Sequence, residues 1–138
     1  MIKCVTAILL SFVFTSCEII TIGTPNAPKK EVINVNQQSP LGAVYLFKTE
    51  LDSNNVPAAA QILADSSGNL LLAIEKYERY FDVDRMKRKI GQKLITKIVR
   101  DSLAENDYRY NVEFDYLTNV TFTTSKIRDE WYITNYKD

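Results

Sequence analysis

The chain has 138 residues, a one-domain length, and its 46% hydrophobic and 25% charged residues give the composition of a globular chain and not of a disordered one. Lysine plus arginine and aspartate plus glutamate are balanced at 17 each, which argues against a nucleic-acid binder, since those carry a basic excess. Two cysteines come with no histidine, so a Ser-His-Asp triad, a Cys-His dyad and a histidine-containing zinc site are all excluded.

The amino terminus opens with Met1-Ile2-Lys3, a short positive start. Residues 4–14, CVTAILLSFVF, follow without a charge. That is the length of a signal-peptide apolar region and too short for a bilayer, which takes ~20 apolar residues. Small Thr15 and Ser16 then precede Cys17. The run Phe14-Thr15-Ser16-Cys17 resembles the lipobox of bacterial lipoproteins, with Phe14 where leucine is usual. The resemblance covers this segment only. It implies a signal peptide over 1–16, cut before Cys17, a diacylglyceryl group on the Cys17 thiol, and a place in the bacterial cell envelope. Cys4 would leave with the signal, and the mature chain would have no free thiol. Acyl chains contribute ~0.8 kcal/mol per buried methylene, so two or more anchor firmly.

Residues 17–40 read as the lipidated cysteine and a flexible tether. Three of the four prolines (Pro25, Pro28, Pro40) lie here, with Gly23, several Asn and Gln, and no helical period. Such a coil reaches ~25 Å on average. The alternation in EVINVN, residues 31–36, leaves an edge strand open as an alternative.

The domain is expected over 41–138. Ser39-Pro40 supplies a cap and a first-turn proline for a helix from Leu41 to about Leu51, with Leu41, Val44 and Phe47 as its stripe. Pro57 opens a short helix, Ala58 to Ala64, and residues 65–68 form a turn. A third helical stretch begins at Asn69. Leu70, Ile74, Tyr77 and Phe81 recur at i, i+4, i+7 and i+11, an inward face, with a break near Asp82 and a restart capped by Asp84. After Gly91 the period shortens to two. Strands are expected at 94–103, 108–116, 119–125 and 130–136. In the second, Tyr108, Tyr110, Val112, Phe114 and Tyr116 point one way, and Arg109, Asn111, Glu113 and Asp115 the other. Close, sequential strands predict an antiparallel meander. The fold class is therefore α+β, two or three N-terminal helices packed on a curved antiparallel sheet of three to four strands.

Helix, short helix, helix and then strands ending in DEWYITNY resembles the nuclear transport factor 2-like cone fold over residues 39–138. The resemblance rests on the order of elements, on SPLGAVYLFKTELDSNNVPAAAQIL at the front and on Trp131-Tyr132-Ile133 at the end. It implies a conical pocket between sheet and helix, used in different members for ligands, catalysis or dimers.

The chemistry left to the chain is narrow. Carboxylates, tyrosines and lysines remain for catalysis, but no acidic residue is interleaved with the apolar positions of the helices, and Glu113 and Asp115 fall on the polar side of their strand. A catalytic carboxylate needs burial to raise its pKa, so no isomerase-like base is found and the chain is read as non-enzymatic, without metal or cofactor. Two readings of the aromatic set stand side by side. Phe47, Tyr77, Phe81, Tyr110, Phe114, Phe122 and Trp131 line a pocket for a small apolar ligand, or they are core, and the protein is an interaction module. In the second case Arg109, Asn111, Glu113 and Asp115 on the outer sheet face would carry a homodimer or an envelope partner. Residues 85–93 hold five cations in nine, which suits anionic headgroups or a solvated helix end favoured by the helix dipole.

Overall fold

The computed structural model describes residues 32–138; Cys4, Cys17 and the expected signal segment and tether up to residue 31 lie outside the described residues. The described part is α+β: four helices followed by four strands. Helix α1 spans Pro40–Asp52, α2 Val56–Gln61, α3 Ala73–Glu78 and α4 Tyr80–Ile90. The strands β1 Ile95–Ala104, β2 Asp107–Phe114, β3 Thr118–Ile127 and β4 Glu130–Lys137 form one antiparallel sheet in sequence order.

Helix α1 starts where its sequence says it should. Ser39 Oγ accepts from the Gly42 N–H at 3.0 Å and Pro40 fills the first turn, where no donor is needed. The helix buries Ala43, Val44, Phe47 and Leu51. Residues 32–36, expected as linker or strand, are not a strand. They cross the start of α1 so closely that a Cβ on Gly42 would lie 2.5 Å from Asn36 O and 2.6 Å from Asn34 O. Only glycine permits that approach.

Asn55 Oδ1 caps α2 through the Ala58 N–H at 3.3 Å. The helix stops at Gln61 and not at Ala64, because the next residues join the edge of β4. Ile133 N–H donates to Ile62 O, and Ala64 N–H donates to Ile133 O, both at 2.9 Å. Asp65 then turns the chain, its Oδ1 accepting from Ser67 N–H at 2.6 Å and Asn69 N–H at 3.1 Å, with Gly68 at φ +80°.

The region 69–90 departs most from expectation. The helix begins at Ala73, and the interruption falls at Arg79, with Asp82 and Asp84 inside α4. Asp84 is held between Lys87 and Arg88 instead of capping a new helix. The inward stripe is Val83, Met86 and Ile90. At 100° per residue, Phe81 and Val83 lie on opposite sides of one helix, so only one of the two stripes can meet the core. The second stripe won.

On the sheet, Tyr110, Val112 and Phe114 of β2, Val120 and Phe122 of β3, and Trp131 and Ile133 of β4 face the helices and are buried. Tyr116 was expected with them but is 80% exposed. β2 ends at Phe114, and Asp115 (φ 49°) and Tyr116 (φ 62°) form a left-handed hairpin turn closed by Leu117 N–H to Phe114 O at 3.1 Å. β1, whose paired apolar residues suited burial on both faces, is the sheet edge. Val99 and Leu103 stay exposed there, and Ile98 is only half-buried.

Candidate functional site

Five of the seven aromatic candidates come together, and they form core. Phe47, Tyr110, Phe114 and Phe122 are fully buried and Trp131 nearly so. Phe47 meets Phe122 edge-to-face, ring centres 6.1 Å apart, and lies 5.8 Å from the Tyr136 ring. Tyr108 packs on Trp131 at 5.5 Å. Burying such rings from both layers is what joins α1 to the sheet. The buried Lys48 closes one end of this cluster. Its ammonium pairs with Asp52 one turn on and lies 6.0 Å from the centre of the Phe114 ring. Asp52 Oδ1 also accepts from the Gln92 N–H at 2.7 Å, which ties the end of α1 to the end of α4.

The other two candidates are not in the core. Tyr77 is 67% exposed and Phe81 71%. This corrects the expected inward face, for the physical reason given above: Val83, Met86 and Ile90 take the side that packs on α1 and α2. Tyr77 and Phe81 instead form an outward ridge with Ile74 (63% exposed) and Leu72 (67%), and α3 has no buried residue at all. Tyr77 packs against Tyr80 at a tilt, ring centres 5.2 Å apart. Such a run of large exposed apolar groups on a folded surface is unusual. The helix under the ridge is tied by the Glu75 carboxylate, which accepts from the Leu72 N–H at 2.6 Å, and by Lys76 Nζ, which donates to Gln61 Oε1 of α2 at 2.6 Å. The ridge was legible as a stripe; only its direction was missed.

The outer sheet face is polar. Asp101 on β1 stands opposite Arg109 on β2, and Arg109 opposite Thr123 on β3. Thr121 Oγ1 donates to Asn111 Oδ1 at 2.8 Å. With Asn135 and Lys137 these residues line a shallow trough of about 370 Å³. Arg109 and Asn111 thus sit where expected. Asp115 does not: it belongs to the hairpin turn, where its Oδ1 accepts from the Leu94 N–H at 2.8 Å. Burial and the Glu130 carboxylate, 2.7 Å from its hydroxyl, push the pKa of Tyr132 up on this face, so the phenol stays protonated.

No protein-family model matches this chain, and no curated protein sequence matches it.

Proposed function

We propose that this chain is a bacterial envelope lipoprotein, anchored through acyl chains on Cys17, whose folded unit is a protein-interaction module and not an enzyme. The observation that carries the reading is a division of labour among the aromatic residues. Those expected to line a ligand pocket fill the core, while Leu72, Ile74, Tyr77 and Phe81 are left facing solvent.

The occupant we assign to the ridge is a protein partner. On a helical projection Glu78 lies about 40° from Ile74, in the same stripe as Tyr77 and Phe81. On the same projection Lys76 and Arg79 fall about 160° and 140° from Ile74, on the far side of the helix, so neither belongs to the stripe. An aromatic patch that includes a carboxylate suits a protein surface. A carboxylate inside the stripe opposes insertion among lipid tails.

A photo-crosslinking residue at position 77 of the full chain, expressed in a bacterial host, tests the docking face. A discrete heavier protein adduct from position 77, absent from position 121 on the outer sheet face and lost with Phe81→Asp, is the expected result. Crosslinks to lipid, or to a second copy alone, would overturn the assignment. Intact mass tests the anchor separately: acylation lost in Cys17→Ser is expected, and an unacylated wild-type chain sinks the lipoprotein reading without touching the ridge.

A further inference from the structure

The outward edge of β4 is paired over its first half. Trp131 N–H donates to Gln37 O at 2.8 Å, and Ile133 exchanges hydrogen bonds with Ile62 and Ala64. Among the described residues this pairing stops at Ile133, because Asp65 turns the chain away and Ala64 bridges back to Leu70. Beyond it a cleft of about 170 Å³ opens between β4 and the start of α4. Leu63, Ala64 and Ile133 line it together with Arg79, Asp82, Arg85 and the 134–136 stretch of β4. Thr134 is the extra residue of a bulge there, since Thr123 pairs with Asn135 and Thr124 with Ile133.

The cations of α3 and α4 are not alike. Lys76 donates to Gln61, Lys87 and Arg88 pair with Asp84, and Lys89 pairs with Asp138. Arg85 touches Asp82 through one nitrogen at 3.3 Å, with both side chains well exposed, so most of its five donors are unspent. The Arg79 guanidinium has neither a hydrogen bond nor an ion pair among the described residues. Both guanidiniums line the same cleft. The Tyr136 hydroxyl is close enough for its titration to feel all three charges: burial raises its pKa most, Asp82 adds to that, and Arg79 and Arg85 oppose it. It therefore stays a protonated donor. The single carboxylate, Asp82, is already partnered by Arg85, which leaves Arg79 as the uncompensated charge.

We propose that this cleft binds a small oxyanion, a carboxylate or a phosphate group, gripped by the Arg79 guanidinium and the spare donors of Arg85, with the Tyr136 hydroxyl as a third donor. Planar guanidinium forks suit both anions. Arg79 and Arg85 act as a pair on one side, and the β4 wall limits the anion to a group of a few heavy atoms.

The test follows the arginine Nε–H resonances of the ¹⁵N-labelled full chain in detergent micelles. Inorganic phosphate and acetate are titrated separately, at ionic strength held constant with sodium chloride. Saturable shifts of two Nε–H signals, those missing in Arg79→Gln and in Arg85→Gln, are expected. Loss of one charge-assisted contact should weaken the response about tenfold. Arg79→Lys, which keeps the charge and loses the fork, should fall between. Stronger saturation by phosphate assigns a phosphate group, and stronger saturation by acetate a carboxylate. Shifts that never saturate, or a titration unchanged in Arg79→Gln, would overturn the site. Both arginines are exposed, so an unchanged melting temperature in each variant confirms that the comparison is between folded proteins.

Discussion

Helix α1 and the stretch from Leu72 to Phe81 each carry an apolar stripe, yet α1 holds the fold together and α3 buries nothing. Val44, Phe47 and Leu51 face the sheet and meet rings that already point at them from β3 and β4, Phe122 and Tyr136 among them. Ile74, Tyr77 and Phe81 belong to a stretch whose continuation, α4, offers a second stripe on the opposite side, and α4 takes its place by Val83, Met86 and Ile90. The phase of one helix is thus set by its neighbour in sequence. An apolar stripe is a necessary condition for burial, and the surface that α1 and α2 offer to α4 decides which stripe is used.

The comparison is broken most forcefully at Phe47. Phe47→Ala removes a fully buried ring from both of its aromatic contacts and should cost about 3–5 kcal/mol, read as a fall in the urea midpoint at constant slope. A loss below about 1 kcal/mol would mean that α1 is not the organising helix. Gly42→Ala comes next. Its new methyl group would press on the carbonyls of Asn34 and Asn36, which are backbone and cannot rotate away. A cost of about 1–3 kcal/mol is expected, and proteolysis should accelerate at 34–38 if the crossing segment is what gives way. Ser39→Ala removes the side-chain acceptor at the Gly42 N–H and should cost about 1 kcal/mol, whereas Leu72, at the corresponding position of α3, has no such acceptor to lose.

How much of this could be read in the sequence follows the same line. The α+β order, the start of α1 and the alternation of β2 rest on local rules: a cap, a first-turn proline and a period of two. They hold in the structure for Ser39, Pro40, Tyr110, Val112 and Phe114. The end of α2, the exposure of Tyr116 and the outward turn of Tyr77 and Phe81 are decided by partners distant in sequence. Ile133 draws Ile62 and Ala64 out of helical pairing, and the Asp115–Tyr116 turn takes up a left-handed backbone with no glycine to announce it. The β4 cleft was invisible for the same reason. Arg85 reads as one cation of the charged run 85–93 and Arg79 lies outside that run; only the fold places Tyr136, more than fifty positions on, beside both.

A smaller effect separates the loop before α3 from α1 by its response to acid. The backbone N–H of Asn69, with those of Ser67 and Gly68, holds the Asp65 carboxylate below its ordinary value of 3.8. The folded state therefore favours the charged form. The stability this gives is present above the ordinary value and is lost as pH falls through it toward the depressed folded one. Asp84 and Asp138, lowered chiefly by hydrogen bonds from Lys87 and Lys89, act in the same direction. Asp65→Asn keeps an acceptor oxygen but not the charge. Its urea midpoint should drop less between pH 6 and pH 3 than that of the wild type, and equal drops would remove Asp65 from the acid response.

The smallest expected change is the one that sharpens the comparison most. Phe81→Asp places a charge on the ridge, on a side chain that is already 71% exposed. If α3 packs on nothing, the equilibrium stability should stay within about 0.5 kcal/mol of the wild type, the range of ordinary surface substitutions. The same replacement at Phe47 would abolish folding. Aspartate is a weaker helix former than phenylalanine by only a few tenths of a kcal/mol, and Phe81 lies in the first turn of α4, where a carboxylate meets the favourable end of the helix dipole. The two local terms nearly cancel, so a residual loss of stability has to come from packing. A loss above about 1 kcal/mol would show that the ridge is covered in the free protein and would move the docking face elsewhere. A neutral result, with the position-77 crosslink gone, would place the whole effect of Phe81 in recognition and none of it in the fold.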